Sequence, residues 1–432
     1  MRRKIYSRLL EWKNSKDRRP LMLLGARQVG KTWIMRHFGE QEYSKVVYVN
    51  CDDEPRMKQI FDLDYDIERI LTTLQAITGQ KATPGDTLIV LDEIQEVPRG
   101  LHSLKYFCEK APEYHVMVAG SLLGVTLGGG ESFPVGKVDM FYMYPMDYEE
   151  FLEATGHGEW VGLLRSHDWP LVDALLPKLV ELLRQYYYVG GMPGVVGRYV
   201  ENRDLKQVRT LQHEILDAYG RDISKHTSAA ESVRIRQVLA SLPMQLAKES
   251  KKFVYGAVRK GSRAKDFELA IQWLQDAGII YKVNRIREPR VPIKFYEDFD
   301  AFKLFLLDCG LLACMADAPA DQMLIGDNVF VEFKGAFTEQ YVLQQLLAVG
   351  LTPYYWSNAK TSAKIDFIVQ QGSRLVPIEV KAEENVRARS LSQFIKDNPG
   401  LKGLRLSMKG YANQEWMENV PLVAIDAFFD QK

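Results

Sequence analysis

Apolar positions along the chain fall into two periods. Leu21–Leu24, Lys45–Asn50, Thr87–Leu91 and His115–Ser121 are short, mostly apolar runs and read as strands. Trp33–Phe38 and the stretch 101–110 between them read as helix, and Val138–Tyr144 is a candidate fifth strand. Strands alternating with helices predict a parallel, three-layer α/β sheet with its ligand at the carboxyl ends of the strands. From 151 to 230 the period becomes helical, through Leu175, Leu176, Leu179, Val180 and Leu183, and Tyr186-Tyr187-Tyr188 before Gly190-Gly191 ends a helix. Those tyrosines can pack under the glycine turn or stack on bases, and packing is the plainer reading.

Residues 231–296 change pattern again. Val233–Leu246 reads as a helix that Pro243 should kink or end early. Val254–Lys260 reads as a turn with a short helix, Ala264–Ala277 as a longer helix, and Gly278–Val283 as a strand. Helix, turn, helix, strand suggests a winged helix. Near the C-terminus a helical pattern over Phe337–Leu343 is followed by strands at Lys364–Val369 and Pro377–Lys381. The predicted organisation is 1–150, 151–230, 231–300 and 325–432, in agreement with a prior of two to four domains for 432 residues.

Charge sharpens this picture only locally. Lys+Arg and Asp+Glu both number 56, yet residues 231–296 hold 14 basic and 6 acidic side chains, a net of +8. Lys251, Lys252, Arg259, Lys260, Arg263 and Lys265 cluster before and at the start of the second helix, where phosphate contact is a natural use. Their plainer role is solvation, or pairing with acids such as those of Asp52–Glu68. Cys51, Cys108, Cys309 and Cys314 form no CxxC pair, so reduced thiols are expected. No run approaches the ~18 apolar residues of a spanning helix, and the N-terminus lacks an apolar signal core, so a cytoplasmic protein without a membrane partner is expected.

The sharpest motif is Gly25-Ala26-Arg27-Gln28-Val29-Gly30-Lys31-Thr32, which fits G-x-x-x-x-G-K-[ST] between a predicted strand and a predicted helix. Glycines let backbone N–H groups curl around phosphates, and the helix N-terminus adds positive partial charge. Lys31 is expected on the β- and γ-phosphates of ATP and Thr32 on Mg²⁺. Asp92 and Glu93 end an apolar run. Asp92 suits the Mg²⁺ shell and Glu93 suits a general base for the attacking water. Ser121, at the end of the fourth strand, is either a γ-phosphate sensor or part of a plain turn.

A second constellation lies in the C-terminal hundred residues. Asp366 sits inside an apolar strand, and Glu379 and Lys381 share one face of the next strand. With Glu339 on the preceding helix they spell the PD-(D/E)xK nuclease signature. Asp366 and Glu379 offer hard oxygen ligands for Mg²⁺, Glu339 could complete the cage or its outer shell, and Lys381 could position water. All seven histidines lie at or before His226, which fits an all-carboxylate site. The plainer reading is a hairpin whose polar residues face water.

LLGARQVGKT, LIVLDEIQ, VAGSLLG, YPMDYEEFL and GGMPGVV together resemble bacterial and archaeal AAA-type ATPases of the branch that includes signal-transducing ATPases. The resemblance runs over nearly the whole chain. It implies a P-loop ATPase domain, a winged helix and a C-terminal restriction-endonuclease-like α/β domain. Lys137 departs from the Gly-Arg usual there and lacks the bidentate fork of arginine. Arg221, followed by Asp222, is a candidate nucleotide-sensing arginine as well as a candidate structural pair. The expected activity is ATP hydrolysis coupled to DNA, with DNA reached through 231–296, a homo-oligomer in view, and nuclease activity as a second function. The competing expectation is a signalling or assembly switch whose C-terminal domain binds without cutting.

Overall fold

The strands of the first 150 residues pair as their apolar runs require. β1 (Leu21–Leu24), β2 (Lys45–Asn50), β3 (Thr87–Asp92), β4 (His115–Ala119) and β5 (Asp139–Tyr142) form an all-parallel sheet in the order β2-β3-β4-β1-β5. The computed structural model describes residues 1–120, 134–325, 331–358, 361, 363–382 and 388–430. They fall into two compact units, Arg2–Tyr144 with Asp276–Ile279, and Met1 with Pro145–Gln275 and Ile280–Lys432.

In the first unit both faces of the sheet are covered. Met22, Leu24, Val47, Val49, Ile89, Leu91, Val116 and Val118 make one core with Phe61, Leu74 and Phe107 of α3 (Pro55–Leu63), α4 (Ile67–Thr78) and α5 (Pro98–Lys110). Alternate residues face the other way. There α2 (Lys31–Glu42), which follows α1 (Ile5–Asn14), presses Gly39 against Val46 and Leu88, where a Cβ would stand 2.6 Å from the valine. β4 separates the strand before the glycine loop from the strand that ends in Asp92 and Glu93. That inserted strand opens the crevice at the carboxyl edge in which α/β sheets bind ligands.

The second unit begins with six helices, Tyr148–Ala154, Gly158–Ser166, Trp169–Val189, Pro193–Asn202, Leu205–His226 and Ala229–Ala247. The last continues past Pro243, where the sequence predicts a kink or an early end. Leu242, Gln245 and Leu246 are all buried around the proline, so packing holds the turn together despite the missing N–H. Helices Tyr255–Val258 and Ala264–Asp276 follow. The hairpin β6 (Ile280–Ile286) and β7 (Glu297–Leu306) does not stand apart from the C-terminal strands. It continues their sheet, because Arg285 of β6 pairs in parallel with Tyr355 of β8 (Tyr354–Ser357). β9 (Lys364–Gln371), β10 (Arg374–Lys381), β11 (Gly403–Ser407), β12 (Ala412–Asn413) and β13 (Met417–Pro421) complete the order β12-β13-β11-β10-β9-β8-β6-β7. The segments 151–230, 231–300 apart from Asp276–Ile279, and 325–432, distinct in sequence pattern, thus fall in one unit.

The Gly190-Gly191 turn has a packing cause. Gly190 has φ +77°, and a Cβ there would lie 2.2 Å from the Asp308 carboxylate. One on Gly191 would lie 2.1 Å from the Met146 carbonyl. Asp308 is fully buried, accepts from the Gly191 and Leu311 N–H groups at 2.6 and 2.9 Å, and burial raises its pKa. The turn therefore seats the backbone on an internal carboxylate. Tyr186, Tyr187 and Tyr188 are buried beside it, Tyr186 donating to the Met146 carbonyl at 2.5 Å, so they serve packing and not base stacking. Among the described residues no helix is long and apolar enough to cross a membrane.

Candidate functional site

The glycine loop joins β1 to α2 through an alternation of backbone hands. Gly25 has φ +141°, Gln28 +67° and Gly30 +94°. A Cβ on Gly25 would fall 2.2 Å from the Met143 carbonyl, so only glycine lets the loop leave the sheet here. Gly30 precedes α2, whose first N–H groups have no helical partner and open an anion-binding cradle. Ala26 and Val29 are buried, and Arg27 is half-buried at the loop. Two hydrogen bonds the sequence does not reveal hold this loop. Buried Arg3 donates to the Val29 carbonyl at 2.9 Å and to the Tyr144 carbonyl at 2.7 Å. Arg3 is thus an internal brace.

Lys31 is 7% exposed and donates to the Gly25 and Ala26 carbonyls at 2.8 and 2.7 Å. The ammonium stands inside the curl of its own loop. Burial lowers its pKa to about 8, against the opposing pull of Glu93 and Asp92. Thr32 donates to Asp92 Oδ2 at 2.5 Å, and Tyr48 of β2 donates to the same oxygen at 3.1 Å. Asp92 is buried, and desolvation raises its pKa despite the Thr32 hydrogen bond. Its Oδ1 accepts from the Glu93 N–H at 3.1 Å. Glu93 takes a left-handed φ of +49°, which turns its side chain off the strand axis, and Gln95 donates to its carboxylate at 2.6 Å. A hydroxyl and a carboxylate in contact, next to a buried ammonium, are the hard-oxygen set that suits Mg²⁺ on a phosphate chain. Tyr48 is invisible as a site residue in sequence, where it is only one of the apolar positions of β2.

Two other expected residues fall differently. Lys137 forms an ion pair with Glu109 of α5 at 2.9 Å. Ser121 lies outside the described residues.

The structure also sorts the C-terminal residues. The antiparallel ladder of β9 and β10 pairs Phe367 with Ile378, the residues next to Asp366 and Glu379. Asp366 Oδ2 accepts from the Val380 N–H at 2.9 Å, and Glu379 Oε1 pairs with Lys381 at 2.9 Å. Asp366 Oδ1 and Glu379 Oε2 are buried without a hydrogen-bond partner. Burial raises both pKa values, with Glu339 adding to the rise at Asp366 and Asp366 adding to that at Glu379.

Glu339, on helix Val331–Ala348, is paired with two lysines. Its oxygens are taken by Lys251 and by Lys303 of β7, the latter at 3.2 Å, and all three side chains are buried. Lys303 also donates to the Asp366 carbonyl at 3.4 Å, and burial lowers its pKa. The two ammonium groups outweigh desolvation and hold Glu339 at about 2. Among the described residues no group of three or more His, Cys, Asp or Glu side chains is gathered for a metal ion. Lys251 is therefore an internal counter-ion, not a surface phosphate contact. Lys252, Arg259, Lys260, Arg263 and Lys265 remain exposed.

Residues 17–152 match the AAA domain family. Residues 180–322 and 334–428 match two domains of unknown function, DUF8612 and DUF4143. No curated protein matches the chain. Among solved structures, a Walker-type ATPase of Pyrococcus abyssi is similar at 17% identity and a TM-score of 0.46, over 73% of this chain and 95% of that one. The ORC1 protein of Aeropyrum pernix in complex with DNA is similar at 15% identity and 0.29, over 74% and 93%. Cdc6p of Pyrobaculum aerophilum is similar at 13% and 0.26, over 75% and 95%. The first unit is an AAA-type P-loop ATPase domain, on its family match and on the loop and acidic strand described above.

The low pKa of Lys31 has a measurable consequence. A triphosphate favours the ammonium, so binding above about pH 8 must take up a proton. ATP affinity should fall by up to tenfold per pH unit above that point, until the pKa of the bound state is reached. Titration calorimetry near pH 9 in two buffers of different ionisation heat should give different apparent enthalpies. Identical enthalpies would contradict a Lys31 held near 8.

Proposed function

We propose that this chain is an ATP-driven protein acting on DNA, with ATP hydrolysed at Lys31, Thr32, Asp92 and Glu93 and DNA phosphates met by the 231–300 segment. The observation that carries the DNA reading is the sorting of the basic cluster. Lys251 is buried on Glu339, while Arg259, Lys260, Arg263 and Lys265 are exposed and outside every ion pair among the described residues. Helix Ala264–Asp276 and the β6–β7 hairpin follow this cluster directly, and Phe253 donates its N–H to the Phe302 carbonyl of β7 at 2.8 Å. That order of helices and hairpin supports a winged helix.

In the ATP site the residues have distinct tasks. Lys31 offsets charge on the phosphates. Glu93, turned off its strand and steadied by Gln95, is placed to accept a proton from water. The C-terminal reading rests on the two orphaned carboxylate oxygens, since a buried unpaired acceptor costs about 1–3 kcal/mol and more when charged. Residues 325–432 are proposed as a restriction-endonuclease-like domain with Asp366 and Glu379 facing a cation and Lys381 positioning water. Mg²⁺ bound by Thr32 and Asp92, or by Asp366 and Glu379, would supply positive charge to phosphate oxygens and acidify a water.

A second reading is supported by the Lys251–Glu339–Lys303 cluster. An internal ion pair stands where a third acid would join the cage, which favours a C-terminal module that binds without cutting, under the control of the ATP state.

Each part has its own test. Arg259→Glu with Lys260→Glu should weaken duplex binding alike for all sequences and flatten the salt slope by about one unit per lost contact. Equal binding by variant and parent at two salt concentrations would remove DNA from the account. Without nucleotide, millimolar Mg²⁺ should raise the parent melting temperature, and Asp366→Asn should abolish that gain. A parent insensitive to Mg²⁺ would leave the non-cutting reading.

A further inference from the structure

The phosphate-loop helix carries one large side chain that neither the fold nor the hydrolytic groups use. α2 buries Lys31, Ile34, Met35 and Phe38 on one face. At about 100° per residue, Thr32 leaves that face on one side and reaches Asp92, while Trp33 leaves a further 100° on, away from the Asp92 strand. The contacts bear this out. The Trp33 ring stacks on His37 one turn later, with centroids 4.7 Å apart and planes 18° apart. His37 in turn lies 6.1 Å from the Tyr6 ring of α1, and Tyr6 packs edge-on to Phe38 at 5.3 Å. Trp33 keeps 44% of its surface exposed.

We propose that the Trp33 indole is the platform on which the base of the bound nucleoside triphosphate stacks. The inference rests on the ATP reading of the glycine loop and deepens it. The positions of Lys31, Thr32 and Asp92 fix the direction of the phosphate chain. Its γ-end must lie toward Asp92 and Glu93, so the ribose and base leave on the other flank of α2, where Trp33 stands in the first helical turn. His37 supports one face of the ring and holds it against rotation, which leaves the remaining surface for a planar partner. Tyr6 sets α1 against His37, and Arg3 ties the chain just before that helix to the Val29 and Tyr144 carbonyls. Stacking on an indole reads the π-face of a base and none of its hydrogen-bonding edges. Trp33 therefore sorts nucleotides from bare polyphosphate and discriminates little between adenine and guanine.

The test compares Mg²⁺-ATP, Mg²⁺-GTP and Mg²⁺-tripolyphosphate on the full chain by calorimetry. Trp33→Ala should weaken ATP and GTP binding by about tenfold and leave tripolyphosphate within about twofold. Trp33→Phe, which keeps a ring, should recover most of the nucleotide affinity. Unchanged ATP affinity in Trp33→Ala overturns the platform. So does an equal loss for ATP and tripolyphosphate, which would mark a damaged helix. Failure of the parent to bind any of the three would instead overturn the ATP reading beneath it.

Discussion

Taking a charge out of water costs several kcal/mol unless something inside the protein answers it. This molecule buries charge at several separate points and answers it differently at each. Lys31 is set on two backbone carbonyls with Asp92 and Glu93 nearby, and its pKa still falls to about 8. Glu339 is closed by two ammonium groups and is held at about 2. Asp308 is met by backbone N–H groups. Asp366 and Glu379 each keep one oxygen with no partner and are pushed up by burial. Fully answered charges hold the fold together. Charges answered in part are the places where phosphate or a cation would lower the free energy most, and they are the places where the function is proposed.

The same constraint explains the glycines. At Gly25, Gly190 and Gly191 a Cβ would strike a carbonyl or a carboxylate at close to 2 Å. In each case the backbone itself comes close to a polar group, and a side chain would separate the two. The glycine loop uses this approach to make a cradle for phosphate, and the Gly190-Gly191 turn uses it to satisfy Asp308.

Much of this was legible in the sequence because it is local. The glycine loop, the acidic end of β3, and the Glu-x-Lys spacing of β10 are fixed by neighbours a few residues apart. The parallel sheet followed from alternating apolar runs. The illegible parts involve distant partners. Lys251 meets Glu339 across 88 residues, and Arg3 meets Tyr144 across 141. Read locally, Lys251 belongs to a basic run, and only the fold shows that its neighbours stay in water while it does not. Pro243 does not end its helix for a related reason, since the residues around it, Leu242 and Leu246 among them, are buried. The hairpin β6–β7 gave no sign that it would join the C-terminal sheet, because that pairing rests on Arg285 and Tyr355.

The central claim is that Lys31 and Glu93 divide the work of one ATP site, the first holding phosphate and the second taking a proton from water. Single-turnover hydrolysis with direct measurement of ATP binding separates the two tasks most directly. Glu93→Gln should bind ATP as the parent does and slow its cleavage by about a hundredfold or more, while Lys31→Ala should fail to bind. Parent-like cleavage in Glu93→Gln, or parent-like binding in Lys31→Ala, would contradict the account.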